Sequence, residues 1–418
     1  MLDSWVYATG VTVPLAIREL GHSYVLLTPD PARFSRNPVG DGPHPVIAEA
    51  EAVLVADIND DASLLSLARS LHAAQPFSGV ITSCDHYLVS AARVAEELGL
   101  PTVGSCVVKT VRDKYCMRTA SAAAGLATPA FALASTVEEA AASAARIGYP
   151  VVVKPTDMSA SAFVALARNE DELSAAAEQI IRYDHNARGQ ALNAVALIEE
   201  FLDGDEVSVE TVSVDGEIRV IAVTDKSLYS DTLFIETGHM VPAILDDVVL
   251  AAVHATVQDA LAALGYTHGV AHTEVKLTSK GPRIVEINPR VGGNWISELV
   301  LLVTGFDLIK AFVRLCLGSA DVYEGPRTTV AKSAAIQFLL PSAAGTLGSV
   351  RNWEEVVSRD AVWRSFVSPG LHGRKVNLPS NNDSYLGHIV CVDREGFGAR
   401  EKCEELVSAL ELAYLDVG

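Results

Sequence analysis

The chain has 418 residues, of which 49% are apolar and 20% charged, and its formal net charge at pH 7 is −20. That length divides into about two to four packed modules, and the apolar share excludes disorder as the dominant state. The surplus of Asp and Glu excludes a phosphate backbone or an anionic membrane as partner, because both are bound by clustered Lys and Arg.

In the first hundred residues, 5–8, 24–27, 52–55 and 79–82 read as apolar strands, and 14–20, 62–73 and 87–98 as helices between them. The alternation predicts a parallel α/β sheet. Gly10 ends the first run before a helix, but neither GxGxxG nor GxxxxGKS/T follows, so a plain strand-to-helix turn is expected. No basic stretch precedes an apolar region at the N-terminus, and no apolar run approaches the length of a membrane span; a cytoplasmic location is the expectation. Cys84, Cys106, Cys116, Cys316, Cys391 and Cys403 show no CxxC or comparable spacing and read as reduced, mostly buried thiols.

A polar-flanked helix over 108–124, holding Arg112, Asp113 and Lys114, links this module to the next. There, strands at 131–134, 151–154, 163–167 and 195–199 and helices at 137–147 and 170–183 make a small mixed lobe. A hairpin over 206–214 and 218–224, turning at Asp215-Gly216, opens a larger antiparallel sheet. From about Asp321 the tail has short strands at 333–339 and 388–392 and a last helix over 399–414. No repeat of fixed period interrupts this order.

The most informative constellation lies on two strands flanking Ser279-Lys280-Gly281, where Gly281 suits the left-handed position of a three-residue hairpin loop. That register sets Glu274 opposite Glu286, with Asn288 two residues on and on the same face. Two carboxylates and an amide oxygen on one face suit Mg²⁺ shared with substrate phosphates; the alternative is an exposed polar face of an edge hairpin.

Lys154 ends an apolar strand before Pro155, where its ammonium either meets an anion such as a nucleotide phosphate or snorkels from the sheet edge. The following loop, Thr156-Asp157-Met158-Ser159-Ala160-Ser161, is small and polar enough to fold over phosphates yet lacks glycine. Residues 198–206 form a strand end, a connection and a new strand, a place for an adenine edge and a ribose diol or merely a solvated corner.

Together and in this order, VVVKP at 151–155, EEFLDGDE at 199–206 and EINPR at 286–290 resemble the ATP-grasp superfamily, over about residues 108–317. The resemblance implies an α/β chain with the ATP-grasp fold. Its parts are an N-terminal parallel α/β (pre-ATP-grasp) domain over 1–107, a linker helix and small lid lobe over 108–198, a large antiparallel-sheet lobe over 199–320 with the Mg-ATP and acyl phosphate site, and a C-terminal subdomain over 321–418.

By the same resemblance Lys114 and Lys154, with Ser161 of the loop, hold the ATP phosphates. Glu199 meets the adenine amino group, Phe201 and Leu202 supply hinge backbone and an apolar wall, and Glu206 takes the ribose hydroxyls. Glu274, Glu286 and Asn288 bind two Mg²⁺, for which Mn²⁺ substitutes, and Arg290 faces the reacting carboxylate and its acyl phosphate. One departure stands out: related phosphate loops read small-Gly-Ser-x-Gly-Val, whereas Ala160 and Phe163 occupy the glycine positions here, so the lid closes differently and turnover is slowed or lost.

Residues 234–242, FIETGHMVP, and Arg290-Val291-Gly292-Gly293 resemble the branch that joins amino acids, including dipeptide-forming L-amino-acid ligases. His239 then contacts the acyl phosphate or an acceptor, or else orders a loop. Gly292, Gly293 and Asn294 precede a helix at Ile296 or Ser297, and their amides either cradle a carboxylate or form a tight turn. Asp85 lies where related ligases often have Glu, to meet a substrate ammonium or cap a helix. The expected activity is ligation of a small-molecule carboxylate to an amine, releasing ADP and phosphate, and a homodimer fits because many relatives dimerise. The alternatives are an ATP-binding regulatory protein without turnover, or a biotin-dependent carboxylase or purine-pathway enzyme; no biotinyl Met-Lys-Met is present.

Overall fold

The computed structural model describes residues 1–38, 40, 42–229, 234–325 and 327–415. Strand β1 (Val25–Thr28) pairs in parallel with β2 (Ala52–Val55), Leu2 bridges Leu27 in parallel, and the Leu2 amide donates to the Ile81 carbonyl at 2.9 Å. These segments form the parallel layer that the alternation predicted, with two corrections. Residues 79–82 contribute to it without forming a regular strand, and 5–8 are a turn, the helix beginning at Thr9. Asp3 causes the second difference. Its φ is 41°, and its buried carboxylate accepts from Thr28 Oγ1 at 2.9 Å and faces Arg188 Nε at 2.9 Å, so the chain leaves the sheet there.

Two helices, Ser105–Arg112 and Lys114–Ala123, stand where one was expected over 108–124. Asp113 breaks the run: its backbone is extended and its carboxylate accepts from the Cys116 amide at 2.8 Å, capping the second helix. The restart puts Lys114 and Arg118 one turn apart on one face.

The small lobe contains β3 (Phe131–Ala134), β4 (Val151–Pro155), β5 (Ala165–Ala167) and β6 (Ala196–Glu200), antiparallel in the order β3-β6-β4-β5. Helices Val137–Ile147 and Glu170–Arg182 cover it, capped by Thr136 and Asn169. β5 is shorter than the expected 163–167 because Phe163 has a φ of 57°, outside the extended region.

Next come β7 (Glu206–Val214), β8 (Glu217–Leu228), β9 (Glu236–Val241), β10 (Gly269–Thr278), β11 (Gly281–Asn288) and β12 (Ser333–Leu339). β13 (Gly345–Arg351), β14 (Val362–Val367), β15 (Lys375–Val376), β16 (Gly387–Asp393) and β17 (Glu411–Leu415) complete the chain. Eight of them form one antiparallel sheet, β11-β10-β7-β8-β9-β12-β16-β14, and three form a second, β15-β13-β17. The β7–β8 turn at Asp215-Gly216 has φ values of 49° and 89°, as a two-residue hairpin requires.

One face of the large sheet, with Val207, Val209, Val275 and Ile287, packs on helix Asp247–Ala263 and, toward β12 and β16, on helix Ala399–Ser408. The opposite face is divided. Val212, Val270, Ile336 and Val390 bury against helices Ile296–Thr304 and Leu308–Cys316, while the remainder faces a cavity. The last helix ends at Ser408 instead of 414, because Leu412 and Tyr414 both pack inward with the period of two that a strand gives. The six cysteines are free thiols; Cys84, Cys391 and Cys403 are buried and Cys106 is exposed. Among the described residues no helix is long and apolar enough to cross a membrane.

Candidate functional site

A cavity of about 590 Å³ lies among the small lobe, the open part of the large sheet and the N-terminal layer. All the residues given ATP, metal, substrate or catalytic roles from the sequence line it except His239, Asn288 and Gly292.

Lys154, at the end of β4, places Nζ 2.6 Å from Glu199 Oε2 on β6. Arg118 Nε donates to the other oxygen at 2.5 Å, so both Glu199 oxygens hold cations. Burial pushes the Glu199 carboxyl up, yet Arg118 and Lys154 bring it down to about 2. The remaining Arg118 N–H groups reach the carbonyls of Ile284 at 2.6 Å and Val285 at 3.0 Å. Those carbonyls turn inward at an irregularity in the β10–β11 ladder. Arg118, 1% exposed, therefore pins the small lobe to the large sheet. Phe201 and Leu202 follow Glu199 along the cavity wall.

The irregularity also corrects the expected hairpin. The loop is two residues, with Thr278 opposite Gly281, and the extra residue is absorbed on β11, which restores the predicted pairing of Glu274 with Glu286. Asn288 Nδ2 donates to Glu286 Oε1 at 2.8 Å, leaving its carboxamide oxygen as a further hard donor.

Lysines accompany these acids. Lys114 Nζ is 2.9 Å from Glu286 Oε2 and donates to the Met158 carbonyl at 2.8 Å. Lys226, on β8 and absent from the sequence-based set, meets Glu206 at 2.7 Å, Glu236 at 2.9 Å and Glu274 at 2.8 Å. Burial opposes its charge, but the three carboxylates raise its pKa well above the ordinary value. Glu206 also faces Lys276 at 3.5 Å. Burial works against ionisation of Glu274 and Glu286, yet Lys226 and Lys114 respectively hold both below the usual carboxylate range.

Four carboxylates, Glu206, Glu236, Glu274 and Glu286, thus surround three ammonium groups, Lys114, Lys226 and Lys276. An all-oxygen set with surplus negative charge fits Mg²⁺. Among the described residues no cluster of three or more His, Cys, Asp or Glu is arranged to hold a metal; Glu274, Glu286 and Asn288 supply oxygen donors to which phosphates and water would add the remaining ligands.

The loop after Lys154 adopts the left-handed backbone without glycine: Ala160, Ser161 and Phe163 have φ of 58°, 54° and 57°. Phe163 packs on Tyr183, ring centroids 4.8 Å apart. That backbone costs about 1–2 kcal/mol per non-glycine residue. Ala160→Gly is expected to leave the melting temperature unchanged or raised, and Ala160→Val to lower stability by about 1 kcal/mol or more. Melting curves of the two variants decide it, and the reverse order would show that the loop does not hold this backbone.

Arg290, just past β11, donates Nε to Asp85 Oδ1 at 2.5 Å and Nη1 to the Val291 carbonyl at 2.9 Å. Trp5 Nε1 donates to Asp85 Oδ2 at 3.0 Å. Asp85 begins a short helical turn (Asp85–Tyr87) with no side-chain cap, and it lines the cavity with both its oxygens engaged, by Arg290 and Trp5. The planar fork expected for substrate is partly committed to Asp85, and among the described residues Nη2 has no hydrogen-bond partner.

His239 stands behind the cavity wall, Nε2 3.4 Å from both Glu236 Oε2 and Asn294 Nδ2, and orders those two residues. Asn294 Nδ2 donates to Glu236 Oε2 at 2.7 Å. Asn294 and Trp295 have φ of 51° and 63°, turning the chain into the helix that begins at Ile296 as expected. A Cβ on Gly292 would lie 3.1 Å from His272 Nδ1 and Ile296 Cβ, a tight fit in which the neighbours must give by a few tenths of an ångström, while Gly293 lines the cavity.

Residues 147–298 match the ATP-grasp domain and residues 16–102 the ATP-grasp N-terminal domain. The chain is 28% identical over 385 residues to the uncharacterized protein y4rH of Sinorhizobium fredii, covering 90% of this chain and 75% of that protein. It is 28% identical over 264 residues to alanine–anticapsin ligase of Bacillus amyloliquefaciens, covering 59% of this chain and 56% of the relative, little more than half its length. The L-amino acid ligase of Bacillus licheniformis superposes with a TM-score of 0.83 at 23% identity, over 99% of this chain and 98% of that one.

Proposed function

The chain belongs to the ATP-grasp superfamily of ligases, and from that premise we propose that it joins an amino acid or other small carboxylic acid to the amine of a second substrate, through an acyl phosphate, with release of ADP and phosphate. The observation that carries this reading is the meeting in one cavity of Lys114 and Lys154, the facing Glu274 and Glu286, and Arg290. Similarity to alanine–anticapsin ligase over 59% of this chain supports amino acids as substrates.

A carboxylate is a poor electrophile because its leaving group is oxide; phosphorylation replaces that with phosphate, and an amine then attacks. Lys154 and Lys114 turn from Glu199 and Glu286 to the nucleotide phosphates, and Arg290 presents its open Nη2 to the carboxylate being activated. Glu274, Glu286 and Asn288 hold Mg²⁺, which neutralises phosphate charge when bound. Lys226 holds Glu206, Glu236 and Glu274 in place through ion pairs, so that ribose and metal contacts are preorganised. Water exclusion falls to the 156–164 loop, which borders the cavity at Met158 to Ala162.

A pairwise matrix of amino acids and other carboxylic acids, assayed for phosphate and for product mass, tests the proposal. The expected result is phosphate release that needs both substrates, ADP as the nucleotide product, and a product one water lighter than the pair. Stoichiometric AMP rejects the acyl phosphate. Nucleotide binding with no release from any pair supports instead a binding protein without turnover.

A further inference from the structure

The large sheet runs beneath the whole cavity, but its two halves differ in chemistry. The half made by β10, β11, β7 and β8 carries the acids and lysines. On the other half, register sets Phe338 of β12 opposite His388 of β16, and His388 opposite Phe366 of β14, so three rings stand in one row across neighbouring strands. Tyr385 stacks on Phe338 with centroids 4.0 Å apart and planes 15° from parallel. Tyr7, from the N-terminal segment, lies 6.0 Å from Phe366, and Trp295 lies 5.9 Å from His388. All six rings line the same cavity as Lys154 and Arg290.

These rings do not simply complete a core. Tyr7 is 55% exposed, and Phe366 and Tyr385 are half-buried, so their faces bound open space. Burial, aided by Arg364, pulls the His388 imidazole down to about 4, so it brings no charge at neutral pH. Glu298, on the helix that begins beside Trp295, is already taken by Arg364 at 2.9 Å and by Trp363 Nε1 at 3.0 Å. A cationic side chain would therefore find no free carboxylate from Glu298; of the cations near the rings, Arg364 is paired with Glu298, and the exposed Arg374 also lines the cavity. Arg364 lies over the Trp295 ring at 4.6 Å, which occupies that cation-binding face as well.

We propose that this chamber receives the side chain of one of the two amino-acid substrates, and that this side chain is aromatic. Rings at such separations offer stacked and edge-to-face contacts to a further ring, which an aliphatic chain uses less fully. The inference rests on the ligase reading above and adds the side-chain class that the site accepts.

The test compares kcat/KM for Phe, Tyr and Trp with that for Ala, Leu, Glu and Arg, each offered with a common second amino acid. The expected result is an advantage of at least about tenfold for an aromatic residue over Ala. Phe366→Ala, on the edge strand, is expected to lower the Phe-to-Ala ratio of kcat/KM by about tenfold or more, and Phe366→Leu to restore part of it. Tyr7→Ala, at the exposed mouth, provides a second variant if Phe366→Ala folds poorly. A preference for Ala, Glu or Arg, or equal losses for all substrates in the variants, overturns the proposal. If no pair releases phosphate, the ligase reading fails separately, and calorimetry with Phe in the presence of MgADP judges the chamber alone. Phe binding that Phe366→Ala removes supports it, and absence of Phe binding refutes it.

Discussion

Glu286→Gln is expected to lower substrate-dependent phosphate release at least about a hundredfold while the fold survives. The amide keeps the shape of the side chain but loses the charge that faces Glu274 across the hairpin and receives Lys114 at 2.9 Å. Two consequences for stability oppose each other. The Lys114 ion pair weakens, and the repulsion that Glu286 exerts on Glu274, pushing that carboxyl up against Lys226, disappears. The melting temperature should therefore move little, whereas stabilisation by added MgADP should shrink, because a ligand stabilises in proportion to its affinity for the folded state. Parallel melting curves with and without MgADP, beside the phosphate assay, make the check. Near wild-type turnover at limiting Mg²⁺ would reduce Glu274, Glu286 and Asn288 to a polar face.

The ion pairs around the site share a pattern. Each group proposed to bind an anion is held by a carboxylate, Lys154 by Glu199, Lys114 by Glu286 and Arg290 by Asp85, at 2.5 to 2.9 Å. Each carboxylate proposed to hold the metal or ribose is held by a lysine. Nucleotide and metal thus exchange partners with these pairs instead of entering a set of bare charges, which limits the desolvation that binding must overcome.

What could be read in the sequence follows from how local each feature is. The small-lobe strands and helices lie close to their expected limits because period and caps are written within each segment: Thr136 and Asn169 immediately precede their helices. The Glu274–Glu286 pairing was legible because a hairpin fixes its own register, even though the loop is one residue shorter and an irregularity makes up the difference. Arg118 was within reach, four residues after Lys114 on a helix, had the helical phase been followed. Lys226 was not. It is a single lysine on β8 whose three partners come from β7, β9 and β10, so its role exists only once those strands pair. The ring row is non-local in the same way, since Phe338, Phe366 and His388 come from three strands that meet only by sheet register. The misread start of the chain has a like cause: the buried contacts of Asp3 with Thr28 and Arg188 are invisible to a local apolar pattern.

Arg290→Lys is expected to weaken use of the carboxylate substrate by about two orders of magnitude in kcat/KM while nucleotide affinity stays nearly unchanged. Arginine can donate Nε to Asp85 and Nη1 to Val291 and still offer Nη2 to a carboxylate. A lysine has one nitrogen for all three. Because Asp85 is 3% exposed and its other oxygen already receives Trp5, the ammonium would be drawn to the remaining oxygen and away from the substrate. Asp85→Ala supplies the complementary result. It leaves the guanidinium without its buried partner and is expected to destabilise the fold by about 3–5 kcal/mol, the range for breaking a buried pair from one side. Arg290→Lys keeps a cation beside Asp85 and should cost much less. Calorimetry with a non-hydrolysable ATP analogue, run with steady-state kinetics and melting curves, separates the roles. A large loss of nucleotide affinity with an unchanged acid KM would move Arg290 into the ATP site, and equal melting shifts for the two variants would show that the pair serves stability alone.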